Sequence, residues 1–534
     1  MSTTINPPKP TAHPSIGRSA FLVAAGIFLS RLAGLVRESV FAHYFGNSFA
    51  ADAFRAALRI PNFLQNLFGE GVLSASFIPV YAKLVAQGEK EESGRVAGAV
   101  FSLLALVTAV LVLAGVLATP YLIDAIAPGF KGETRLLTIQ LVRIFFPGVG
   151  LLVLSAWCLG ILNSHHKFFL SYASPVVWNI SIIVALLAFG RGRDLSGLAL
   201  YTAWASVVGS AAQFLVQLPV VLRLVSSLHI GISRLTENVH TVLRNFVPVF
   251  VSRGVVQLSA YVDAFLASWL PTGAVAGLGY AQTLYLLPVS LFGMSVSVAE
   301  LPAMSSALGN EEEIASTLRH RIASSTGRIA FFVVPSAVAF LALGDLVAGA
   351  IYQSGRFTHA DSVFVWGILA GSAVGLVAST VGRLYSSAYY ALRDTRTPLK
   401  FAVIRVALTT VLGVLFALVL PKALHINARW GVAGLTSSAG IAAWVEFTLL
   451  RSRMRRRIGR IESSPILFLK LWTAAFAAAA VAWAIRLALH PHSPRLAVIT
   501  ILVPYGVVYL GVTALAGVGE TGALIDRLRK RLDR

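Results

Sequence analysis

The chain has 534 residues, of which 56% are hydrophobic and only 13% are charged, and its mean hydropathy is +0.76. Soluble globular domains carry about 25% charged residues, so this composition excludes an ordinary soluble enzyme. The formal net charge of +21 does not indicate nucleic-acid binding, because the excess of Lys and Arg falls in loops beside apolar segments. The predicted fold class is an all-α polytopic membrane protein.

Apolar runs recur along the whole length, and each is long enough to cross the hydrocarbon core as a helix. We predict fourteen transmembrane helices, in chain order at 19–45, 51–84, 93–119, 136–163, 168–189, 195–222, 241–270, 273–307, 327–352, 361–392, 398–420, 429–450, 466–489 and 496–518. Basic residues concentrate at 451–460 and 527–534. The positive-inside rule places these segments in the cytoplasm, and an even number of spans then places both termini there.

The two halves of the chain resemble each other. Phe28-Leu-Ser-Arg31 matches Phe250-Val-Ser-Arg253 at an offset of 222 residues, and Leu67-Phe-Gly69 matches Leu291-Phe-Gly293 at an offset of 224. Halves that are separated by an even number of spans insert in the same orientation. The repeat therefore predicts two parallel six-helix lobes around a central cationic cavity, with two extra C-terminal helices.

The repeat and the local composition also set the predicted domain boundaries. They are a disordered cytoplasmic tail (1–18), an N-lobe of helices one to six (19–225), an amphipathic cytoplasmic linker (226–240), a C-lobe of helices seven to twelve (241–452), helices thirteen and fourteen (453–518) and a basic cytoplasmic tail (519–534).

Charged residues inside the first, second and seventh predicted helices are the main indication of function. A charge near the bilayer centre costs about 2.5–3.5 kcal/mol on insertion scales, so it must face a watery cavity or a counter-charge. The cations in question are Arg31, Arg37, Arg55, Arg59 and Arg253. Guanidinium groups grip phosphate oxygens bidentately and stay charged when they are dehydrated. We therefore predict a cavity that binds an anion, most simply a phosphate or diphosphate.

The competing interpretation is that these arginines pair with the acids Glu38, Asp52, Glu70 and Asp263 and only lock the helices together. The i, i+3 spacing predicts an Asp52–Arg55 pair at the outer mouth, whereas Arg31 has no carboxylate within four residues. Glu70 and Glu300 lie towards the predicted cytoplasmic end, where they are candidates for gating through pairs with loop cations.

The sequence holds no pattern that indicates catalysis. It lacks a P-loop of the GxxxxGK[ST] type, which argues against direct use of ATP. Cys158 is the single cysteine, so a disulfide or a thiolate metal site is excluded. We predict a protein that is not an enzyme and that has no resident cofactor or metal.

One long run resembles a known family. The pieces SRLAGLVRE, ADAFRAALRIPN and FGEGVLSASFIPVYAK lie between residues 30 and 83, and LPVSLFG, ELPAMS and YYALRDTRTP follow between 287 and 398. They resemble the MurJ (MviN) family of lipid II flippases, within the superfamily of multidrug and polysaccharide exporters. The likeness covers essentially the whole chain.

The resemblance implies a flippase of a bacterial inner membrane that acts in peptidoglycan biosynthesis, cell wall biogenesis and cell shape. Its implied substrate is lipid II, an undecaprenyl-diphosphate-linked disaccharide-pentapeptide, which crosses from the inner to the outer leaflet by alternating access. Membrane lipids and cell-wall synthases are further implied partners, and nucleic acid is not. Two alternatives stay open: a flippase for another polyprenyl-diphosphate-linked oligosaccharide of the O-antigen type, and a non-transporting scaffold of the cell-wall machinery.

The resemblance also implies site residues. Family members often carry Arg at the positions of Gln65 and Thr283, and we expect Arg253 and Arg59 to replace those cations here. The implied substrate-binding set is Arg31, Arg37, Arg253, Asp52, Arg59, Ser30 and Glu70. Sodium-coupled members carry acids in helices seven and eleven, and the implied candidates for coupling to Na⁺ or H⁺ are Asp263, Asp394 and Thr410.

Overall fold

A computed structural model of the chain describes residues 16–68, 70–225, 228–229, 231, 236–306, 310–462, 464–489, 493–522 and 526. The predicted all-helical fold class is confirmed, since the described residues form helices joined by short turns and include no strand. Parts of both predicted tails (1–15, 523–525 and 527–534) and residues 226–227, 230 and 232–235 of the predicted linker lie outside the described residues.

The first half of the chain contains helices joined by turns of a few residues. They are α1 (Ile16–Phe45), α2 (Phe49–Phe68), α3 (Glu70–Ser76), α4 (Ile78–Gln87), α5 (Lys90–Ile126), α6 (Gly132–Ser164), α7 (Phe168–Ala173), α8 (Pro175–Phe189) and α9 (Leu195–Leu224). The long second span of the prediction is thus divided into α2, α3 and α4.

The second half continues with α10 (Glu237–Ser268), α11 (Ala274–Pro288), α12 (Ser295–Ser305), α13 (Glu311–Tyr352), α14 (His359–Ala391), α15 (Arg396–Val414), α16 (Leu420–Ala423), α17 (Gly431–Ile458), α18 (Pro465–Leu489), α19 (Pro494–Ala497) and α20 (Val503–Leu515). Short π-helical segments join α11 to α12, α15 to α16 and α19 to α20. Each pair therefore forms one continuous helical stretch.

Eleven helical stretches within the described residues are long and apolar enough to cross a membrane. They are 90–126, 132–164, 168–189, 195–224, 274–305, 311–352, 359–391, 396–423, 428–458, 465–489 and 494–515. Each overlaps one predicted span. The other predicted spans, the first, second and seventh, correspond to α1, to α2 with α3 and α4, and to α10, which carry the arginines and acids of the predicted cavity.

The chain divides into two compact units. Unit 1 consists of residues 1–37, 57–120 and 139–257, and unit 2 consists of residues 38–56, 121–138 and 258–534. Unit 2 therefore contains the end of α1 and the start of α2, and also the loop between α5 and α6, in addition to most of the predicted C-lobe. The boundary in the middle of the chain falls inside α10 rather than in the predicted linker.

Aromatic residues form the centre of unit 1. Trp157 of α6 and Phe77, between α3 and α4, are fully buried in one apolar cluster. The Trp157 indole N–H donates to the Ala97 carbonyl oxygen of α5 at 3.1 Å, which satisfies its polar atom inside the apolar core.

Small residues let two helices of unit 2 approach closely. A Cβ atom added at Gly375 of α14 would lie 2.4 Å from the Cα atom of Gly440 in α17. Such contacts are typical of membrane helices, whose association depends on close packing because lipid tails are as apolar as the side chains.

A proline in α13 leaves a carbonyl that α20 satisfies. Pro335 has no N–H, so the Phe331 carbonyl oxygen loses its bond within the helix. The Tyr509 hydroxyl donates to this oxygen at 2.6 Å, and the Tyr505 hydroxyl donates to the Pro335 carbonyl oxygen at 2.7 Å. α20 is therefore bonded to α13 at the turn where Pro335 removes a backbone hydrogen bond.

An ion pair joins α18 to the same helix. Arg486 binds both carboxylate oxygens of Asp345, at 3.2 and 2.7 Å, and Asp345 is only 6% exposed. The neighbouring Trp483 indole donates to the Ala342 carbonyl oxygen at 3.0 Å. The two C-terminal membrane helices are therefore integral to unit 2.

We expect Asp345→Ala to lower the stability of unit 2, because it leaves the Arg486 charge without its partner. Because the Arg486 side chain is 27% exposed, water compensates in part, and we expect a loss between about 1 kcal/mol for an exposed pair and about 3 kcal/mol for a buried one. The midpoint of thermal unfolding in detergent measures the loss. The double variant Asp345→Ala with Arg486→Leu should recover part of it, and equal midpoints for the single and double variants would contradict the assignment.

Candidate functional site

Among the cations of the predicted cavity whose side chains the structure describes, Arg31 is the exposed one. It lies in α1 beside the exposed apolar residues Phe28 and Leu32, and Ser30 is half-buried. No described residue forms an ion pair with Arg31. A charge that is exposed on an apolar helix requires water or an anionic ligand, so its position suits the predicted role.

Arg37 and Arg59 lie on neighbouring helices of unit 1. The Arg37 guanidinium carbon lies 4.7 Å from the centroid of the Trp178 ring of α8, a cation–π contact that orients the side chain. Arg59 is half-buried in α2. Arg253 lies in α10 and Glu70 begins α3, but the side chains of both lie outside the described residues, so their roles stay predictions.

Arg55 is mostly buried and lies beside a carboxylate and an aromatic ring. Its guanidinium lies 2.5 Å from a carboxylate oxygen of Glu38 and stacks 4.2 Å from the centroid of the Tyr280 ring. The predicted Asp52–Arg55 pair is therefore wrong. Glu38 is 17 residues away in sequence, and only the packing of α1 against α2 makes it the partner.

Asp52 binds the N-terminus of α11 instead. Its two carboxylate oxygens accept from the backbone N–H groups of Gly273 and Ala276, at 2.6 and 2.7 Å, and the residue is 3% exposed. These N–H groups have no partner inside the helix and lie at the positive end of its dipole. Gly273 has φ 90°, and a Cβ atom there would lie 2.3 Å from the Asn47 side-chain nitrogen, so only glycine fits this approach.

Backbone contacts extend this arrangement. The Ser39 hydroxyl donates to the Ile351 carbonyl oxygen at 2.5 Å, the Arg356 N–H donates to the His43 carbonyl oxygen at 2.8 Å, and the Tyr280 hydroxyl donates to the Gly46 carbonyl oxygen at 2.7 Å. We call residues 38–56, with the partners named here and above, the clasp. Within unit 2, the clasp therefore joins the end of α1 and the start of α2 to α11 and to the end of α13.

The cation-coupling candidates have separate environments. Asp394 accepts from the Thr397 N–H and hydroxyl at 3.0 and 2.8 Å and pairs with Arg457 at 3.1 Å. Burial alone would raise the pKa of Asp394, but the hydrogen bonds from Thr397 and the charge of Arg457 hold it below its ordinary value. The carboxylate thus stabilises the start of α15.

Thr410 lies well along the same helix. Its hydroxyl donates to the Val406 carbonyl oxygen at 2.8 Å. A continuous helix from Arg396 to Thr410 spans roughly 20 Å at 1.5 Å per residue, so Asp394 and Thr410 cannot ligate the same ion. Asp263 is half-buried in α10, and its coupling role stays a prediction.

Glu300 of α12 pairs with two cations of α13. Its carboxylate oxygens lie 2.6 Å from Arg328 and 3.2 Å from Arg321. The sequence predicts pairs with loop cations for Glu300, but both of these arginines belong to α13, and both pairs lie within unit 2.

An uncharged cavity of about 400 Å³ opens inside unit 1. Its polar lining residues are Gln65, Asn66, Ser74, Ser155, Ser171, Ser174 and Gln213. Sequence reasoning noticed Gln65 only as a missing arginine and overlooked the others, because single Ser and Gln residues in apolar helices form no motif. The one available signal was helical spacing, with Gln213 and Gln217 four residues apart.

Two adjoining cavities with basic linings lie at the end of α17, and their volumes are about 520 and 480 Å³. Arg451, Arg455 and Arg460 line both of them. This is the basic segment that the sequence places on the cytoplasmic side.

We expect Arg55→Ala to open the clasp, because it removes the guanidinium that pairs with the buried Glu38 carboxylate, and breaking a buried pair costs about 3–5 kcal/mol. A cysteine at position 50, where Ala50 is fully buried, reports opening through its labelling by a membrane-impermeant maleimide in a Cys158→Ser background. Labelling should be at least tenfold faster, which requires a shift of about 1.4 kcal/mol.

Arg135→Ala is the matched control, since it breaks the exposed Arg135–Asp124 pair of the same unit. It should leave the labelling rate unchanged. Equal labelling in the Arg55→Ala variant and the control would show that the Arg55–Glu38 pair does not hold the clasp.

The comparisons with known proteins identify the family. The family model described as lipid II flippase MurJ matches residues 41–532. A probable lipid II flippase MurJ of Rhizobium tropici is 32% identical over 448 residues, covering 82% of this chain and 80% of the relative. The lipid II flippase MurJ of Burkholderia cenocepacia is 31% identical over 457 residues, covering 84% and 85%.

Solved structures agree. The chain matches a lipid II flippase MurJ in an inward closed conformation with a TM-score of 0.76 and 26% identity, covering 93% of this chain and 98% of the other. It matches an inward-facing multidrug MATE transporter of the MOP superfamily with a TM-score of 0.63, covering 82% and 98%, and the 18% identity there supports the fold alone. The resemblance found in the sequence is thereby confirmed, and the chain is a multi-pass membrane protein that belongs to the MurJ family of lipid II flippases.

Proposed function

We propose that the chain moves lipid II, an undecaprenyl-diphosphate-linked disaccharide-pentapeptide, from the inner to the outer leaflet of a bacterial inner membrane. The family match over residues 41–532 carries this proposal. The exposed Arg31, which has no ion-pair partner among the described residues, supports it, because a diphosphate is the ligand such a cation suits. Transport involves no covalent step.

The finer architecture is part of the proposal. Fourteen transmembrane helices would comprise the eleven apolar stretches together with α1, the run from α2 to α4, and α10. We place these in two parallel six-helix lobes around a central cationic cavity, with α18 and the run from α19 to α20 as the two extra helices. The even number puts both termini in the cytoplasm.

The diphosphate site in this proposal is built on α1, α2 and α10. Arg31, Arg37, Arg59 and Arg253 supply the cations, and Ser30 supplies a hydroxyl. Membrane potential favours the loaded step, since moving one negative charge outward gains about 2.3 kcal/mol per 100 mV. The remaining predicted site residues, Asp52 and Glu70, would act at the two mouths of the cavity.

The clasp would serve as the outer gate. Its turn at residues 46–48 lies on the predicted outer side, and the contacts there join the two halves of the sequence. Opening must break the two bonds that Asp52 accepts from α11 and separate Arg55 from Tyr280 or from Glu38. These losses favour the outer-closed state until substrate binding compensates for them.

Lipids are a second class of partner in this proposal. The cavities lined by Arg451, Arg455 and Arg460 lie where anionic headgroups of the cytoplasmic leaflet would meet the protein. Contacts with cell-wall synthases stay a prediction.

We expect depletion of the protein to leave lipid II in the inner leaflet, and Arg31→Ala to lower flipping at least tenfold, because one diphosphate contact is lost. The fraction of lipid II that an outer-leaflet probe can reach in intact cells measures both effects. Arg193→Ala is the control, since it also removes one guanidinium, but Arg193 lies in a predicted outer loop, with its guanidinium carbon 4.1 Å from the centroid of the Tyr201 ring.

Each alternative has its own outcome in this experiment. An O-antigen type flippase is indicated if depleted cells keep the normal leaflet distribution of lipid II but accumulate another polyprenyl-diphosphate-linked oligosaccharide in the inner leaflet. Normal leaflet distribution of both, with disturbed cell-wall synthesis, would indicate a scaffold.

We further propose that flipping is coupled to Na⁺ or H⁺ through Asp263 and Thr410. In the unsubstituted protein, collapse of the Na⁺ or H⁺ gradient by a selective ionophore should lower the flipping rate. In Asp263→Asn the rate should not respond to the ionophore, because the carboxylate charge that would bind the cation is gone. Asp394→Asn is the control, since Thr397 and Arg457 engage that carboxylate, and it should retain the gradient dependence. Retained dependence in Asp263→Asn would exclude this residue.

A further inference from the structure

We propose that the uncharged cavity of unit 1 is a subsite for the sugar that adjoins the diphosphate of the substrate. This inference rests on the proposed flippase function. The cavity would hold hydroxyl and amide groups of the headgroup while the arginines hold its phosphates.

The lining of the cavity matches the chemistry of a sugar. Seven of its lining residues are Ser, Gln or Asn and the others are Leu, Ala and Pro, so no charged side chain lines it. A sugar offers donors and acceptors in equal measure, which amide and hydroxyl side chains complement. A lining without charge does not suit a phosphate or a cation.

The polar groups form a built network. Gln217 is fully buried, and its side-chain nitrogen donates to the Ser155 and Ser174 hydroxyl oxygens at 2.9 and 2.6 Å. The Gln213 side-chain nitrogen donates to the same Ser155 oxygen at 3.0 Å. Because the Ser155 oxygen accepts twice, its own O–H remains available to donate, and the Gln213 carbonyl oxygen remains available to accept.

One hydrogen-bond acceptor of this network has no donor among the described residues. The Gln217 carbonyl oxygen is buried and has no hydrogen-bond partner among the described residues. Leaving such a group unpaired destabilises the fold, and an apolar side chain at this position would avoid that cost. Gln217 lies behind the lining and holds Ser155 and Ser174, which do line the cavity, in place.

A helix break keeps the cavity open. α7 ends at Ala173 and α8 begins at Pro175, which has no N–H for the Ser171 carbonyl oxygen. The Ser174 hydroxyl donates to that oxygen at 3.2 Å instead. Broken helices at membrane depth are tolerated where they line a polar cavity, and this break brings two serines into the lining.

Size and position also suit a sugar. A volume of about 400 Å³ lies within the range of small-molecule sites, which is about 300–1,000 Å³. Arg59 and Asn66 both belong to α2 and lie roughly 10 Å apart along its axis at 1.5 Å per residue. Both belong to unit 1, so a phosphate near Arg59 and a sugar near Asn66 would be neighbouring parts of one headgroup.

The test compares three ligands for the purified protein in detergent: undecaprenyl diphosphate, the same lipid carrying its sugar without the peptide, and complete lipid II. Gln213→Met, which keeps the side-chain volume, should weaken binding of the two sugar-bearing ligands about tenfold, the loss expected for one or two hydrogen bonds. Binding of undecaprenyl diphosphate should change less than twofold. Arg31→Ala should weaken all three.

Gln140→Met is the matched control, because Gln140 is exposed on α6, the helix that carries Ser155. It should leave all three affinities unchanged. If Gln213→Met does not give a folded protein, as judged by its unfolding midpoint, Gln65→Met at the half-buried rim is tested instead.

The outcomes separate the subsite from the flippase function. Loss of all three ligands to the same extent, or of none, would show that the cavity holds only water and would overturn the subsite. Weaker binding of lipid II alone would show that the cavity binds the peptide and not the sugar. Failure of the unsubstituted protein to bind lipid II would instead overturn the proposed function.

Discussion

A charge inside the hydrocarbon of a membrane must be paired or hydrated, and this chain treats its arginines in both ways. Arg55 contacts Glu38 and Tyr280, so its charge is balanced within the protein. Arg31 is exposed without an ion pair among the described residues. The difference separates a cation that holds helices from one that can receive a ligand, and residue type alone does not reveal it.

The same constraint explains why the polar contacts of the clasp involve so many backbone groups. Asp52 uses both oxygens on N–H groups of α11, and Tyr280 and Ser39 donate to carbonyl oxygens. Each contact replaces water that would otherwise solvate a helix end. A gate built in this way can be tight when closed and still separate, because water from an open cavity can take over each bond.

Helix positions could be predicted from the sequence because apolar runs of sufficient length have few other solutions in a membrane. Pairings between distant residues could not. The i, i+3 rule suggested an Asp52–Arg55 pair, but it ignores a carboxylate that arrives from another helix, as Glu38 does. The Gln and Ser residues of the unit 1 cavity were hidden for a related reason, since they come together only where α2, α3, α6, α7 and α9 converge.

The bond from Tyr509 to the Phe331 carbonyl oxygen joins residues 178 positions apart, and the chain is made in order. At about 5–20 residues per second, the ribosome needs about 10–35 s to produce Tyr509 after Phe331. During this interval α13 is in the membrane with an unsatisfied carbonyl, and Asp345 awaits Arg486 from a segment made 141 residues later. The contacts of α13 are thus complete only after Tyr509 has been made, so quality-control proteases and insertion factors would meet this helix first in an unfinished form.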